Sequence, residues 1–212
     1  MTTTGAIQDI FHMGGGEHTY SGDNLMPGAN LSGVHLENAD LTDADLTGAD
    51  LSGSYFVTTF LVAANLTGAN LTGAYLTGAD LHTANLNFTN LTGADLGMIV
   101  LDDTDLTGAV FTDADLTDAH LVNADLIGAD FTGSNLANAD LTGADLTGAF
   151  LIGTVGVNTA TWSGAIFQDT TLPDEYDQEW FESAGANFVP EPSSYALILG
   201  ALTFGLVTLR RR

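Results

Sequence analysis

The 212-residue sequence contains no cysteine. That excludes disulfides, thiolate metal sites and cysteine nucleophiles. Positive charge is nearly absent as well. Against 27 Asp and Glu stand three Lys and Arg, for a net charge of −24. The three are Arg210, Arg211 and Arg212, so nothing before them carries a formal positive side chain unless a histidine is protonated. Such a surface repels nucleic acid and anionic lipid, and nucleic acid is not expected as a partner. No nucleophile motif, phosphate loop or metal signature occurs, so no catalytic residue and no metal site is assigned and an enzyme is not expected. Low hydrophobicity is not among the absences: 45% of residues are hydrophobic, which argues against a disordered acidic chain.

What is present is a period of five. A large apolar residue recurs at every fifth position from Leu31 to Leu151, giving 25 centres, of which 22 are Leu and three are Phe56, Phe111 and Phe131. Two residues earlier, 18 of the 25 positions are Ala, and the exceptions are Val34, Ser54, Thr59, Thr89, Ile99, Thr104 and Ser134. Asp or Asn commonly precedes the centre, and Thr or Ser and then Gly commonly follow it. An α-helix would scatter these centres around its circumference. A flat strand would send alternate centres to opposite faces, because five is odd. The pattern therefore needs a turn in every unit. Each unit then forms one side of a coil, with the centre and the residue two before it pointing inward.

The alternating Ala-Asp-Leu-Thr-Gly and Ala-Asn-Leu-Thr-Gly units resemble the pentapeptide-repeat family. That resemblance implies an all-β fold, a right-handed quadrilateral parallel β-helix with four units per coil. It covers residues 29–153, with about 165–173 as a final degenerate turn. The 25 units then make a little over six coils. At ~4.8 Å per coil the rod is ~30 Å long. In such a solenoid each coil touches only its neighbours, and the ends must be capped.

The expected organisation is an N-terminal flank at 1–24, the β-helix at 25–173, a capping helix and linker at 174–188 and a distinct tail at 189–212. The start, MTTTGAIQDIFHMGGGEH, lacks the basic and apolar regions of a secretory signal peptide. Trp162, Ile166 and Phe167 are expected to cover the bottom of the tube. Pro173-Asp174-Glu175-Tyr176 is expected to open the capping helix, with Tyr176, Trp180, Phe181 and Ala184 on one side and Gly185 as its stop. A dimer contact is the alternative role for this segment.

The tail runs Pro190-Glu191-Pro192, then an apolar stretch from Tyr195 to Leu209, then Arg210-Arg211-Arg212. The stretch is about 15 residues, shorter than the ~20 of most spanning helices. Motif, apolar helix and basic end resemble the PEP-CTERM sorting signal of Gram-negative bacteria. The resemblance implies transient anchoring in the inner membrane through the C-terminal hydrophobic helix. It implies recognition by an exosortase, a membrane transpeptidase, and release to the cell surface or an extracellular matrix, with exopolysaccharide or surface proteins as partners. Members of that class also carry an N-terminal signal peptide, so a start further upstream is expected.

Stacking every fourth unit predicts four outer columns. One holds His35, Tyr55 and Tyr75, which together with exposed Phe60 and Phe88 form a candidate interaction surface. Another aligns Asp105, Asp125 and Asp145, where like charges one coil apart repel and weak Ca²⁺ binding would relieve them. No tight cation site is expected, because calcium needs six to eight converging oxygens. No other cofactor is expected. The reading is a non-enzymatic structural or interaction protein of the bacterial cell surface or biofilm matrix. The alternative comes from a resemblance to the quinolone-resistance pentapeptide proteins: a cytoplasmic acidic rod that mimics DNA and binds type II topoisomerase.

Overall fold

The computed structural model describes residues 27–189. Each five-residue unit closes as a four-residue turn. Ala39 N–H donates to the Leu36 carbonyl at 3.1 Å, and Ala44 N–H to the Leu41 carbonyl at 3.0 Å. The third residue of the turn takes a positive φ, +63° at Gly48 and +56° at Ala63. Glycine adopts that conformation without steric cost, which is why it is the commonest choice there.

After each turn one outward residue pairs in parallel with its counterpart on the next coil. Asp45 bridges Asn65, and Asn65 bridges Asn85. Leu46 N–H donates to the Asn65 carbonyl at 2.7 Å, and Asn65 N–H to the Ala44 carbonyl at 2.8 Å. Four such sides close a coil, and the stack is a parallel β-helix. We label the sides A to D by their first centres, Leu31, Leu36, Leu41 and Leu46.

Every centre from Leu31 to Leu151 is buried, as is every residue two positions before a centre from Val34 to Ala149. Leu and Phe fill the axis, and Phe111 stacks on Phe131 with ring centroids 4.8 Å apart. Where a hydroxyl replaces Ala in the wall it donates to a carbonyl one coil earlier. Thr59 Oγ1 reaches Leu36 O at 2.6 Å, and Ser54 Oγ reaches Leu31 O at 2.8 Å. Ser134 is the exception, its buried hydroxyl having no partner. An unpaired buried hydroxyl costs about 1–3 kcal/mol, whereas a satisfied one contributes about 1 kcal/mol. Ser134→Ala is therefore expected to raise stability by about 1 kcal/mol and Thr59→Ala to lower it by about as much. Urea denaturation of the two variants checks the opposite signs.

The lower end departs from the sequence reading in three ways. First, the repeat does not stop at 153 to return only at about 165. The spacing lengthens once, by one residue around Gly156, and then resumes through Val157, Trp162, Phe167 and Leu172, the last of them partly buried. The bridges record the slip: Asn135 pairs with Val155, but Asp140 pairs with Thr161. The rod therefore has a little over seven coils rather than six. Second, Ile166 does not cover the tube. With the shifted phase it occupies an outward position and bridges Asp145, while Trp162 and Phe167 take the inward ones.

Third, the helix starts later than Pro173. Pro173 is buried at the end of the wall, and Tyr176 N–H turns back onto its carbonyl at 3.2 Å. Helix α1 spans Gln178–Ser183, with Asp177 as its N-cap accepting from Trp180 N–H at 2.9 Å. Asp177, not Pro173, carries the side-chain acceptor that the first turn needs. Phe181 is the buried residue of α1, and it meets Trp162 and Phe167 with ring centroids 5.1 and 4.9 Å away. Beyond Gly185 the chain rejoins the wall. Strand β1, Ile166–Phe167, pairs in parallel with β2, Asn187–Phe188. Ala186-Asn187-Phe188 is thus one further repeat unit, hidden in the sequence by the helix inserted before it.

Candidate interaction surface

All four predicted columns are present. On side B, His35 stacks on Tyr55 and Tyr55 on Tyr75, with centroids 4.3 and 4.7 Å apart and planes within 3° and 9°. Parallel strands hold equivalent residues at one coil spacing, near the distance at which flat rings stack. His35 Nδ1 also lies 2.9 Å from Glu37 Oε1. The rings face one another, so the stack offers solvent mainly its edges. Phe60 is not part of it. It stands on side C between Asp40 and Asp80 and is 52% exposed.

On side D, Asp105 bridges Asp125 and Asp125 bridges Asp145, as the stacking predicts. The carboxylates do not converge, because each is bound to its own turn. Asp145 Oδ1 accepts from Thr147 N–H at 2.9 Å and from the Thr147 hydroxyl at 2.6 Å. Asp105 Oδ1 accepts from Thr107 N–H at 3.2 Å and its Oδ2 from Asn87 at 2.8 Å. Among the described residues no three His, Asp or Glu side chains form a group able to hold a metal ion.

This turn bond explains the Asp/Asn-Leu-Thr signature. The acidic oxygen caps the backbone N–H two residues on, and the Thr hydroxyl adds a second donor. The Thr47 hydroxyl, helped by the Thr47 N–H, holds the Asp45 carboxyl below its ordinary range, and Ser52 does the same for Asp50. A carboxylate whose pKa is lower in the folded than in the unfolded state stabilises the fold above the unfolded pKa. That contribution is lost as pH falls through the folded value. Thr47→Val is therefore expected to lower the melting temperature more at pH 7 than at pH 2, because the carboxylate's contribution is lost as pH falls through the folded value. Thermal melts at the two pH values check this.

Phe88, read from the sequence as exposed, is 67% exposed, and Met98, which sequence reasoning overlooked, is 57% exposed. Phe88 ends a turn at φ +57° with its ring over Gly108. The available signal was an apolar residue in places otherwise held by Thr, Gly or Asp. At the lower end, Gly153, Val155, Pro173 and Tyr176 line an open groove of about 330 Å³. Pro190, Glu191, Pro192 and Arg210, Arg211 and Arg212 lie outside the described residues, as does the apolar stretch between them. Among the described residues no helix is long and apolar enough to cross a membrane.

Fold and surface together define a β-helical rod that presents a regular wall. The family model for pentapeptide repeats matches residues 28–59, 61–97, 99–133 and 119–155. The chain belongs to the pentapeptide-repeat family. It is similar to QnrB1, a plasmid-mediated fluoroquinolone resistance protein, with a TM-score of 0.60 and 15% identity over 88% of this chain and 95% of that one. At that identity the likeness is one of fold. It is 32% identical to HetL, a protein involved in heterocyst differentiation regulation from Nostoc sp. strain PCC 7120, over 68% of this chain and 74% of that one, with a TM-score of 0.25. It is 34% identical to Rfr23 of the cyanobacterium Cyanothece 51142, over 44% of this chain, with a TM-score of 0.43, and spans 63% of that protein's length. No curated protein was found to match the sequence.

Proposed function

We propose that the chain is a non-enzymatic interaction rod, exported by a Gram-negative bacterium to its cell surface or biofilm matrix and processed at residues 189–212 by an exosortase-type transpeptidase. One observation carries this reading. The wall is complete at Val189, whose N–H donates to the Phe167 carbonyl at 2.8 Å. Among the described residues the lower end of the tube is closed before Pro190, so removal of residues 190–212 is expected to leave the described rod intact. Val189 also leaves the tube at its lower end, so an anchored tail would hold that end nearest the membrane.

Weak calcium binding along Asp105, Asp125 and Asp145 belongs to this proposal, as screening of aligned charge. A melting-temperature rise with calcium that sodium matches at equal ionic strength would remove any calcium-specific part. The acidic columns also favour the second reading, a DNA mimic acting on type II topoisomerase in the cytoplasm. Fractionation of the source cells and mass spectrometry of the native protein decide between the two. Protein outside the inner membrane, lacking the segment after Pro192, is expected. An intact chain in the cytosol would overturn export and make inhibition of supercoiling the next measurement.

A further inference from the structure

Three exposed apolar side chains, Phe60, Tyr75 and Met98, lie around the corner where side B turns into side C, together with Val57 and Val100. Column pairing places them on three successive coils. Tyr75 is bridged to Tyr55, Phe60 to Asp80, and Asp80 to Val100. Phe60, Tyr75 and Met98 are 52%, 42% and 57% exposed, and the two valines are half-buried. At ~4.8 Å per coil the patch is ~10 Å deep along the rod. Between Thr58 and Met98 the same corner carries Gly78, so Met98 stands beside a notch.

Carboxylates are interleaved with these anchors. Asp80 lies between Phe60 and Val100, and Asp95 lies directly below Tyr75. One oxygen of each is held by its own turn: Asp80 Oδ1 accepts from His82 N–H at 3.1 Å and Asp95 Oδ1 from Gly97 N–H at 3.2 Å. Their second oxygens accept nothing from the described residues. A purely apolar partner would bury these carboxylates unpaired, which is costly. A cation facing each carboxylate removes that cost, and the body of this chain has no Lys or Arg to supply one.

We propose that the side B to side C corner, over the coils of Phe60, Tyr75 and Met98, binds a cationic amphipathic protein segment. Apolar side chains of the segment pack on Phe60 and Met98 while its Lys or Arg groups pair with Asp80 and Asp95. The proposal rests on the reading of the chain as an interaction protein and names the chemistry of its partner. Phe88, equally apolar but on side D, serves as an internal control.

The test uses the full chain and a fluorescein-labelled synthetic peptide of alternating arginine and leucine, with anisotropy as the readout. The double variant Phe60→Ser, Met98→Ser is expected to weaken binding by roughly tenfold or more, as loss of central anchors does. Phe88→Ser is expected to leave it unchanged, and replacing the peptide's leucines by serine to weaken it as much as the double variant does. All three substitutions are at exposed sites, so circular dichroism should match the parent. Equal binding by the double variant, equal weakening by Phe88→Ser, or undiminished binding of the arginine–serine peptide would overturn the proposal, because each reduces the effect to bulk negative charge. Normal export with corner-independent binding sinks this inference alone. Cytosolic retention with corner-dependent binding sinks the export reading alone.

Discussion

Phe181→Ala is expected to open the lower end of the rod, at a cost of about 3–5 kcal/mol confined to that end. Phe181 is fully buried although its helix has only six residues. It closes the tube against Trp162 and Phe167 and packs edge-on against Trp180 at 5.0 Å. A solenoid couples each coil only to its neighbours, so the damage stays local. Both tryptophans, Trp162 and Trp180, lie in this cap, and tryptophan emission reads the lower end while far-ultraviolet circular dichroism reads the whole rod. The expected result is a red-shifted emission, binding of a hydrophobic dye and a circular dichroism spectrum close to that of the parent. Glu179→Ala, on the exposed side of α1, is expected to change none of these. Unchanged emission in Phe181→Ala would show that the helix does not plug the tube.

Gly156→Ala is expected to cost about 3 kcal/mol or more, combining left-handed strain with overpacking. Gly156 has φ +76°, and a Cβ there would lie 2.3 Å from Ala137 N and 2.5 Å from Ala137 Cα. Those atoms belong to the backbone of the coil above and cannot rotate away. The matched control is Gly48→Ala. It has φ +63° and nothing within 4 Å of the added carbon, so only the left-handed penalty of about 1 kcal/mol applies. Ala63 already occupies the equivalent turn position at φ +56°, which shows that this smaller cost is tolerated. In urea, Gly156→Ala is expected to move the tryptophan transition to lower concentration than the circular dichroism transition, since the last coils unravel first. Coincident transitions at the parent midpoint would show that the lower coils accommodate the extra carbon.

The difference between these two glycines marks the boundary of what can be read from the chain. Gly48 is one of many in the same place of the repeat, and its role comes from the need for a turn in every unit. Gly156 stands where the period breaks, and the close approach of Ala137 depends on how the coil above it is placed. The same division runs through the surface. The columns His35–Tyr55–Tyr75 and Asp105–Asp125–Asp145 were readable, because four units per coil turn spacing in sequence into adjacency in space.

Sequence alone determined the period, the inward and outward positions and the four columns, because a strict repeat leaves each unit one environment. It also determined the sign of the surface charge. Tertiary structure alone decided the slip of one residue at Gly156, the return of Ala186-Asn187-Phe188 to the wall and the plugging of the tube by Phe181. It also decided that Met98 and Phe60 share a corner while Phe88 faces elsewhere. These are end and corner effects. They depend on where a particular coil stops and how its neighbour lies, and no local propensity encodes that.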